Sequence, residues 1–340
     1  MISVLARRLG QTVLVLFGVS IIVFSLVHIT PGDAVDVMFA GENVSAEQRQ
    51  TYREQLGLDQ PLPQQYVTYV AGAVQGDLGT SIRRGIPVTE AVGATIPATV
   101  ELTLAALVVA IIIGVPVAVV SALRQGSAVD RGGSAMALFG ISMPSFWLGI
   151  MLILLFSITI DIFPASGRIS LESGGLRQIT GFVLVDSLLQ GNFKAFSSGL
   201  LHIALPAITL GAAITATLSR VLRSGLLEVK GQDYVDALRA RGLRTSKVIS
   251  HMLRNAMPAT VVVMGVRIGS LLGGAIVVEV VFGWPGLGRL VVDAIQNRDF
   301  PLVQGAVLVM ALMFVIVNLI TDLIQAWLDP RVRLTGGASQ

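Results

Sequence analysis

The sequence predicts an all-α membrane protein with six transmembrane helices. Hydrophobic residues make up 53% of the chain and charged residues only 13%, which is far from the composition of a soluble domain. Crossing about 30 Å of hydrocarbon takes about 20 apolar residues. Segments of this length lie at residues 10–29, 100–122, 134–160, 200–222, 257–281 and 303–327. The first is too long for a typical signal-peptide core and no small-residue cleavage site follows it, so we interpret it as a retained helix.

Both chain termini are expected on the cytoplasmic side of the membrane. Six spans place the two termini on one side. When the termini are placed inside, the segments on the inner side contain more Arg and Lys residues than the segments on the outer side, although the outer segments are longer. The positive-inside bias therefore favours this orientation. The formal net charge of +3 is small, so the sequence predicts no nucleic-acid role.

A long polar segment, residues 30–96, separates the first two spans on the outer side. Ser45–Gln48 has the pattern of a capping box, and Gly57 can end the helix that it starts. Pro63 predicts the start of a second short helix, which ends near Gly76. These signals predict a small ordered cap outside the membrane. A solvated loop with incidental helix signals is the alternative.

A basic island, Gly231–Pro258, lies between the fourth and fifth spans. Residues 232–241 suit a short helix, and Gly242 is a natural C-terminal stop. A second helix is expected to follow, capped by Thr245 or Ser246 and interrupted by the proline. Five basic residues crowd into the island: Arg239, Arg241, Arg244, Lys247 and Arg254. The pattern predicts a helix–turn–helix loop that faces the cytoplasm. A charged loop retained only by topology is the simpler alternative.

Four residues in the spans are candidates for a transport pathway: Ser142, Pro144, Arg267 and Glu279. Pro144 frees a backbone carbonyl, and such a kink often faces a pathway, although a plain packing kink explains it equally well. A charge at the helix centre costs about 2.5–3.5 kcal/mol. Arg267 is therefore expected to face the bundle interior or a partner subunit. Glu279 lies near the outer end of its span and is expected to reach the membrane interface.

The chain carries no pattern that could drive transport by itself. It contains no cysteine, which excludes disulfides and thiolate metal sites. None of its lysines, Lys194, Lys230 and Lys247, follows a glycine as a P-loop requires. The three histidines form no HExxH pattern, and no acidic pair suggests a proton relay. We therefore expect no cofactor or metal in this chain, and an energy source outside it.

The basic island closely resembles the coupling loop of permease subunits from peptide-type ABC importers. The matching residues are Asp233-Tyr234-Val235, Ala237, Arg239–Leu243, His251 and Leu253–Ala256. Two positions depart from the family pattern, because Asp236 stands where a basic or polar residue is usual and Leu238 where Ala is usual. Further matches extend the resemblance to nearly the whole chain: Pro31–Asp33, Gly76–Gly79, Glu279–Arg289 and Leu328–Arg333.

This resemblance implies the fold and the site residues. The fold implied is that of a type I ABC importer permease, and the chain looks like the B-type permease of the dipeptide/oligopeptide/nickel family. In that family the coupling loop docks into an ATPase. The corresponding residues here are Gln232, Asp233, Tyr234, Ala237, Arg239, Ala240, Gly242 and Leu243. A Pro-Gly-Leu-Gly loop lies at the external entrance, and it corresponds here to Trp284, Pro285, Gly286, Leu287 and Gly288.

Domain organisation and partners are also implied by the resemblance. Residues 1–29 would form a cytoplasmic tip and the first helix, 30–96 the external cap, 97–328 the transmembrane domain with a coupling loop at about 230–256, and 329–340 a cytoplasmic tail. The partners implied are a second homologous permease, two cytoplasmic ATPases that bind ATP and magnesium, and an external substrate-binding protein. The function implied is translocation of di- or oligopeptides across a bacterial cytoplasmic membrane by alternating access, with no enzymatic activity in this chain.

Three alternatives stay open. A nickel or glutathione importer would share the permease motifs, because selectivity lies largely in the binding protein. A secondary transporter would need inverted repeats or interior ion-coupling charges, and neither is clear in the sequence. A membrane-embedded enzyme would need a convergent polar cluster, which the sequence does not show.

Overall fold

The computed structural model describes residues 2–29, 45–55 and 58–328, and these ranges contain no β-strand beyond one isolated bridge. The helices are α1 (Ile2–Ile29), α2 (Ala46–Gln55), α3 (Leu62–Val74), α4 (Val88–Leu123), α5 (Ala128–Ser142), α6 (Ser145–Leu152), α7 (Val183–Leu189), α8 (Phe193–Lys230), α9 (Asp233–Ala240), α10 (Thr245–Val281), α11 (Leu287–Gln296) and α12 (Phe300–Leu328). A π-helical stretch, Ile153–Thr159, continues α6.

Four helices of the described chain are long and apolar enough to cross a membrane. They are Gly10–Ile29 within α1, then α4, α8, and Phe300–Ile324 within α12. A fifth candidate is the pair α5 and α6, which is bent by 109° at the predicted break around Pro144. The predicted span 257–281 lies within α10, which is not among these candidates. The chain is therefore an all-α, multi-pass membrane protein, and the count of six spans stays a prediction.

Contact clustering divides the chain into two compact units. The first comprises Met1–Ala98 and Pro285–Val315, and the second comprises Thr99–Trp284 and Ile316–Gln340. In the first unit the start of α4, one face of α11 and the start of α12 form an apolar core, which contains Val88, Ala91, Val92, Leu287, Leu290, Val291, Ala294, Leu302 and Ala306. Burying these side chains stabilises the unit at roughly 25 cal/mol per Å² of apolar surface.

One buried carboxylate, Asp299, ties the turn before α4 to the start of α12. Its oxygens accept hydrogen bonds from the Ser81 hydroxyl and from the backbone N–H groups of Ile82 and Arg83, the latter two at 3.2 Å. It also caps α12 by accepting the N–H of Leu302. The sequence analysis did not single out this residue as structural.

Helices form in the outer segment as predicted, and their arrangement as an external cap stays a prediction. Ser45 and Gln48 exchange hydrogen bonds as a capping box requires, which confirms the start of α2. The predicted stop at Gly57 lies outside the described residues. Helix α3 packs along α1, where the Tyr66 hydroxyl lies 2.8 Å from that of Ser20. Ser20 lies midway along the candidate span Gly10–Ile29, so α3 packs beside the middle of that helix.

The second unit is built around the long helices α4, α8 and α10, with α5 and α7 packed on α8. Glycine permits the close approach of α4 and α8, because a Cβ at Gly211 would lie 2.7 Å from the backbone oxygen of Ala106. Both residues lie in the apolar interior, where such close packing needs small side chains.

Two predictions about α10 were wrong. Thr245 and Ser246 do not cap it, since the N-cap is Arg244 and no side chain caps the helix. Pro258 does not interrupt it either, because α10 runs without a break from Thr245 to Val281. Buried neighbours on the same helix, Met252, Ala256 and Thr260, fix its path on both sides of the proline. Tertiary packing can therefore outweigh the hydrogen bond that a proline removes.

Candidate functional site: a coupling loop and an outer polar cluster

The helix–turn–helix of the basic island forms around a left-handed glycine. Gly242 has φ +74°, and its N–H bonds to the carbonyl of Arg239 at 2.9 Å. The N–H of Leu243 bonds to the carbonyl of Leu238 at 3.3 Å. These two bonds make a Schellman motif, whose usual hydrophobic contact is supplied by the half-buried Leu238 and Leu243. The predicted helix stop at Gly242 is confirmed.

Val235 anchors the short helix α9 to the rest of the second unit. Its side chain is fully buried in an apolar cluster where α4 ends, α8 ends and α10 begins, whose other buried members are Ala118, Ala122, Leu222, Leu226, Val229, Val248, Met252 and Ala256. The sequence analysis matched Val235 to the family pattern but did not name it as a site residue. Its signal was available, because Val235 and Leu238 are three residues apart and therefore share one face of α9.

The opposite face of α9 and the following turn are exposed. We call this the coupling surface, and define it as Gln232, Asp233, Ala237, Arg239, Ala240, Arg241, Gly242 and Arg244, all of which are exposed. Asp236, which departs from the family pattern, pairs with Arg239 at 3.1 Å on this face. The negative charge of Asp236 is therefore balanced within α9. Tyr234 is turned partly inward, because its hydroxyl accepts a hydrogen bond of 2.8 Å from the Asn255 amide. The predicted docking residues therefore divide into an exposed set and two internal supports, Tyr234 and Leu243.

A single helix links the coupling surface to the other end of the second unit. Helix α10 starts directly after the turn at Gly242 and has 37 residues, which corresponds to about 55 Å at the usual rise of an α-helix. It ends in a second Schellman motif, in which Gly283 has φ +57° and the N–H of Trp284 bonds to the carbonyl of Glu279 at 2.8 Å. A displacement of the loop can therefore be carried along one rigid element.

An outer polar cluster surrounds this far end of α10. The Arg168 guanidinium pairs with the Glu101 carboxylate, donates to the carbonyl of Gly181 at 3.0 Å, and lies 5.5 Å from the ring centroid of Trp284. Glu101 also accepts the N–H of Leu184 at 2.9 Å. The side chains of Arg168 and Glu101 are 11% and 7% exposed. A buried pair of this kind holds its partners firmly, because stranding either charge is costly.

The loop that contacts Arg168 is itself organised by a carboxylate. Asp186 accepts hydrogen bonds from the backbone N–H groups of Ile179, Thr180 and Gly181 and from the Thr180 hydroxyl, at 2.6–3.1 Å. Burial acts to raise the pKa of Asp186, but these hydrogen bonds together hold that pKa below its ordinary value. The sequence analysis did not single out Asp186 or Arg168, since nothing local marks residues that act through distant partners.

The predicted entrance residues, Trp284, Pro285, Gly286, Leu287 and Gly288, do not form an exposed loop. All except Pro285 are buried, and Leu287 already begins α11. The Gly- and Pro-rich run is therefore a packed turn that leads into α11, because Trp284 and Leu287 bury large apolar side chains. Its role at an external entrance stays a prediction.

The four pathway candidates have different surroundings. Glu279 is fully buried and accepts a hydrogen bond of 2.6 Å from the Thr99 hydroxyl, so the expectation that it reaches the interface is wrong. Arg267 is exposed, so the interior of this chain does not enclose it, and a partner subunit stays the predicted contact. Ser142 and Pro144 are exposed at the 109° bend between α5 and α6. Among the described residues, no cluster of His, Asp and Glu could hold a metal ion.

Comparison with known proteins decides the family. The model of the binding-protein-dependent transport system inner membrane component matches residues 114–334, and the model of its N-terminal region matches residues 1–103. The chain belongs to this family. It is therefore similar over both halves to integral components of transport systems that depend on a binding protein, as the resemblance implied.

Individual relatives of this inner membrane component cover the whole chain. The dipeptide transport system permease protein DppB of Escherichia coli K12 is 42% identical over 336 residues, which is 98% of this chain and 99% of the relative. The di/tripeptide permease of Pseudomonas aeruginosa is 40% identical over 334 residues, with 98% and 99% covered. The glutathione transport system permease protein GsiC of Escherichia coli O6:H1 is 37% identical over 334 residues, again with 98% and 99% covered.

Proposed function

We propose that this inner membrane component is the permease subunit of an ATP-driven ABC importer that carries di- or oligopeptides across the cytoplasmic membrane. The observation that carries the proposal is the 42% identity to a dipeptide permease over 336 residues. The match covers 98% of this chain and 99% of the relative. A glutathione importer is the second candidate, because a glutathione permease is 37% identical over the same length.

The energy for transport is proposed to come from two partner ATPases, which bind ATP and magnesium and dock on the coupling surface. Two features support this role. The surface is exposed and basic, and it is fixed by Val235 to the ends of three long helices. ATP must favour one conformation of the assembly over the other for transport to be driven. The continuous helix α10 would relay the ATPase movement towards Glu279 and Trp284.

The remaining architecture follows the same proposal. A second homologous permease completes the path, and an external binding protein delivers the substrate. The fold proposed is that of a type I importer permease with six spans, in which α10 supplies the fifth, and both termini face the cytoplasm. The exposed Arg267 is proposed to face the second permease. Residues 30–96 are proposed to make contacts with partners on the outer side of the membrane. Within this segment, α3 packs beside α1.

The test is uptake into vesicles that contain this chain with its partner permease, both ATPases and the binding protein. Labelled dipeptide, oligopeptide, glutathione and nickel are compared with ATP inside or absent. Peptide uptake that needs ATP supports the proposal. Uptake of glutathione or nickel but not peptide would replace the substrate class, and uptake driven by an ion gradient without the ATPases would indicate a secondary transporter.

Topology is tested separately with a single cysteine. The chain has none of its own, so Thr245→Cys gives a unique label next to the coupling surface. An impermeant thiol reagent should label it in inverted membrane vesicles and not in intact cells. Labelling in intact cells would place the loop outside and remove the ATPase role. Gly85→Cys, in the outer turn before α4, is the matched control with the opposite expected pattern.

A further inference from the structure

A cleft on the surface of the second unit has no role in the function proposed above. It lies between the C-terminal part of α4 and the start of α5, and has a volume of about 310 Å³. Its lining is almost entirely apolar and comprises Pro116, Val117, Val120, Ser121, Val129, Gly132, Gly133 and Met136. Val129 and Met136 are about half exposed, so the cleft is open to the surroundings of the helices.

The apolar cleft joins a smaller polar cavity of about 100 Å³. The two share Val117, Ser121 and Gly133 as wall residues. The polar cavity is lined in addition by side chains of α5 and α8, namely Ala118, Ser134, Ala137, Ser219, Arg220 and Arg223. The apolar cleft therefore adjoins, across these shared wall residues, a cavity bordered by three hydroxyls and two guanidinium groups. This is the shape and polarity of an amphiphile with an acyl chain and a polar headgroup.

The charge of the polar cavity is positive. Arg223 is committed to Asp130, because its Nε and Nη2 atoms both donate to that carboxylate at 2.7 Å. Asp130 also accepts a hydrogen bond from the N–H of Gly126 and is 5% exposed. Its negative charge is therefore balanced by Arg223 and does not neutralise a second arginine. Arg220 is exposed and forms no ion pair within the described part of the chain. One unit of positive charge is therefore left to attract an anionic headgroup.

Gly133 lies in the wall that the two compartments share. A Cβ at Gly133 would lie 2.7 Å from the Ser121 hydroxyl oxygen and 3.4 Å from Val117, which are the other two shared wall residues. A side chain at this position would therefore crowd that wall and narrow both compartments. The neighbouring Ala135 lies on the same helix and lines neither compartment, so it offers a matched position for a control.

We propose that this cleft binds an anionic phospholipid of the cytoplasmic leaflet, with an acyl chain against Val117 and Met136 and a phosphate on Arg220. The leaflet follows from the proposed topology, since both arginines lie near the end of α8 that leads to the coupling loop. Basic pockets between helices on this side of a membrane suit anionic headgroups. The cleft is lined by α4 and the adjoining cavity by α8, and the ends of these two helices hold Val235, so a bound lipid would stiffen the support of the coupling surface.

The test uses the assembled transporter in phosphatidylcholine nanodiscs that contain a trace of photoreactive lipid. One probe is phosphatidylglycerol with a diazirine on an acyl chain, and the other is phosphatidylcholine with the same diazirine. Phosphatidylglycerol should label peptides from residues 114–137 preferentially. Arg220→Gln should reduce that preference about fivefold, and Gly133→Leu should reduce labelling by both probes. Arg124→Gln and Ala135→Leu, which alter charge and volume outside the cleft, should leave it unchanged.

Several results would overturn the proposal. These are equal labelling by both lipids, wild-type labelling in Arg220→Gln and Gly133→Leu, or labelling of the second permease with none in residues 114–137. Displacement by soluble glycerol phosphate would assign the cavity to a free anion instead. Peptide uptake by the same nanodisc preparation after transfer to vesicles separates this inference from the transport function. Uptake without labelling removes the lipid site alone, and labelling without uptake removes the transport function alone.

Discussion

Helices α9 and α10 end in the same backbone turn but in opposite surroundings. Each has a left-handed glycine, Gly242 or Gly283, and the N–H of the next residue bonds back to the last turn of its helix. At α9 the turn is exposed, and a Cβ at Gly242 would meet no atom within 4 Å. At α10 the next residue, Trp284, is buried under the guanidinium of Arg168.

The comparison teaches that a turn redirects the chain but does not decide its role. The outer cluster uses its charges internally, because Glu101 and Arg168 are paired and nearly buried. The coupling surface leaves its arginines exposed, and it is held from within by Val235, with Tyr234, Leu238 and Leu243 packed beside it. Changes at the outer cluster should therefore lower stability, whereas changes at the coupling surface should lower coupling with little loss of stability.

The largest effect is expected for Arg168→Ala. Removing one partner of a buried ion pair costs about 3–5 kcal/mol, because the other charge stays buried. The loss of stability is measured by purifying the chain in mild detergent and unfolding it with increasing amounts of denaturing detergent. The double variant Arg168→Gln with Glu101→Gln strands no charge and should recover much of the stability. If the single variant is as stable as the wild type, the outer cluster is not an internal lock and the comparison fails.

Val235→Ala tests the anchor beneath the coupling surface. It removes a fully buried side chain from the apolar cluster, which should cost about 2 kcal/mol. Because α9 has only eight residues, the loss should fall on its docking to the bundle, and ATP hydrolysis should become independent of substrate. Val74→Ala makes the same change at an exposed position of α3 and should have no effect. Normal stimulation of ATP hydrolysis in Val235→Ala would show that the anchor is dispensable.

Asp186→Asn tests whether the outer loop is held by a carboxylate, and the prediction depends on pH. The variant should lose about 2 kcal/mol at neutral pH, because charge-assisted hydrogen bonds are replaced by weaker ones. The pKa of Asp186 lies below its ordinary value of 3.8 in the folded chain. Its stabilisation is therefore complete at neutral pH and is lost as the pH falls through that lowered pKa.

The measurement for Asp186 is a pair of unfolding curves for the wild type and the variant, from pH 7 down to about pH 2. The two curves should converge in acid. A constant difference at every pH would mean that side-chain shape, and not charge, organises residues 179–186.

The smallest loss of stability is expected for Gly242→Val, which should nevertheless lower transport. A side chain in the left-handed conformation costs about 1 kcal/mol, so assembly should stay near normal while uptake and substrate-stimulated ATP hydrolysis fall together. Gly126 has φ +77° and equally open surroundings, in the turn between α4 and α5. Gly126→Val therefore applies the same strain outside the coupling surface. Wild-type uptake in Gly242→Val, or equal losses in both variants, would remove the special role of this turn.

Local patterns determined much of the fold and the family of this protein. Apolar length predicted four of the spans, and the proline within Ser142–Phe146 marked the 109° bend. Capping chemistry predicted the start of α2, and a glycine predicted the end of α9. These features depend on residues a few positions apart, so one sequence suffices to see them. The motif at Asp233–Leu243 was specific enough to indicate the family that the whole-chain comparisons confirm.

Tertiary structure decided the features that depend on distant partners. Pro258 continues a helix because its neighbours pack on other helices, and Trp284 is buried although its segment has the composition of a loop. Arg168 and Glu101 are 67 residues apart, and Ser81 and Asp299 are 218 apart. No local pattern records such pairings, because their energy comes from desolvation and contact that exist only once the chain has folded. The sequence alone thus determined the helices and turns that depend on nearby residues, and packing decided the path of α10, which charges became internal and which stayed available to a partner.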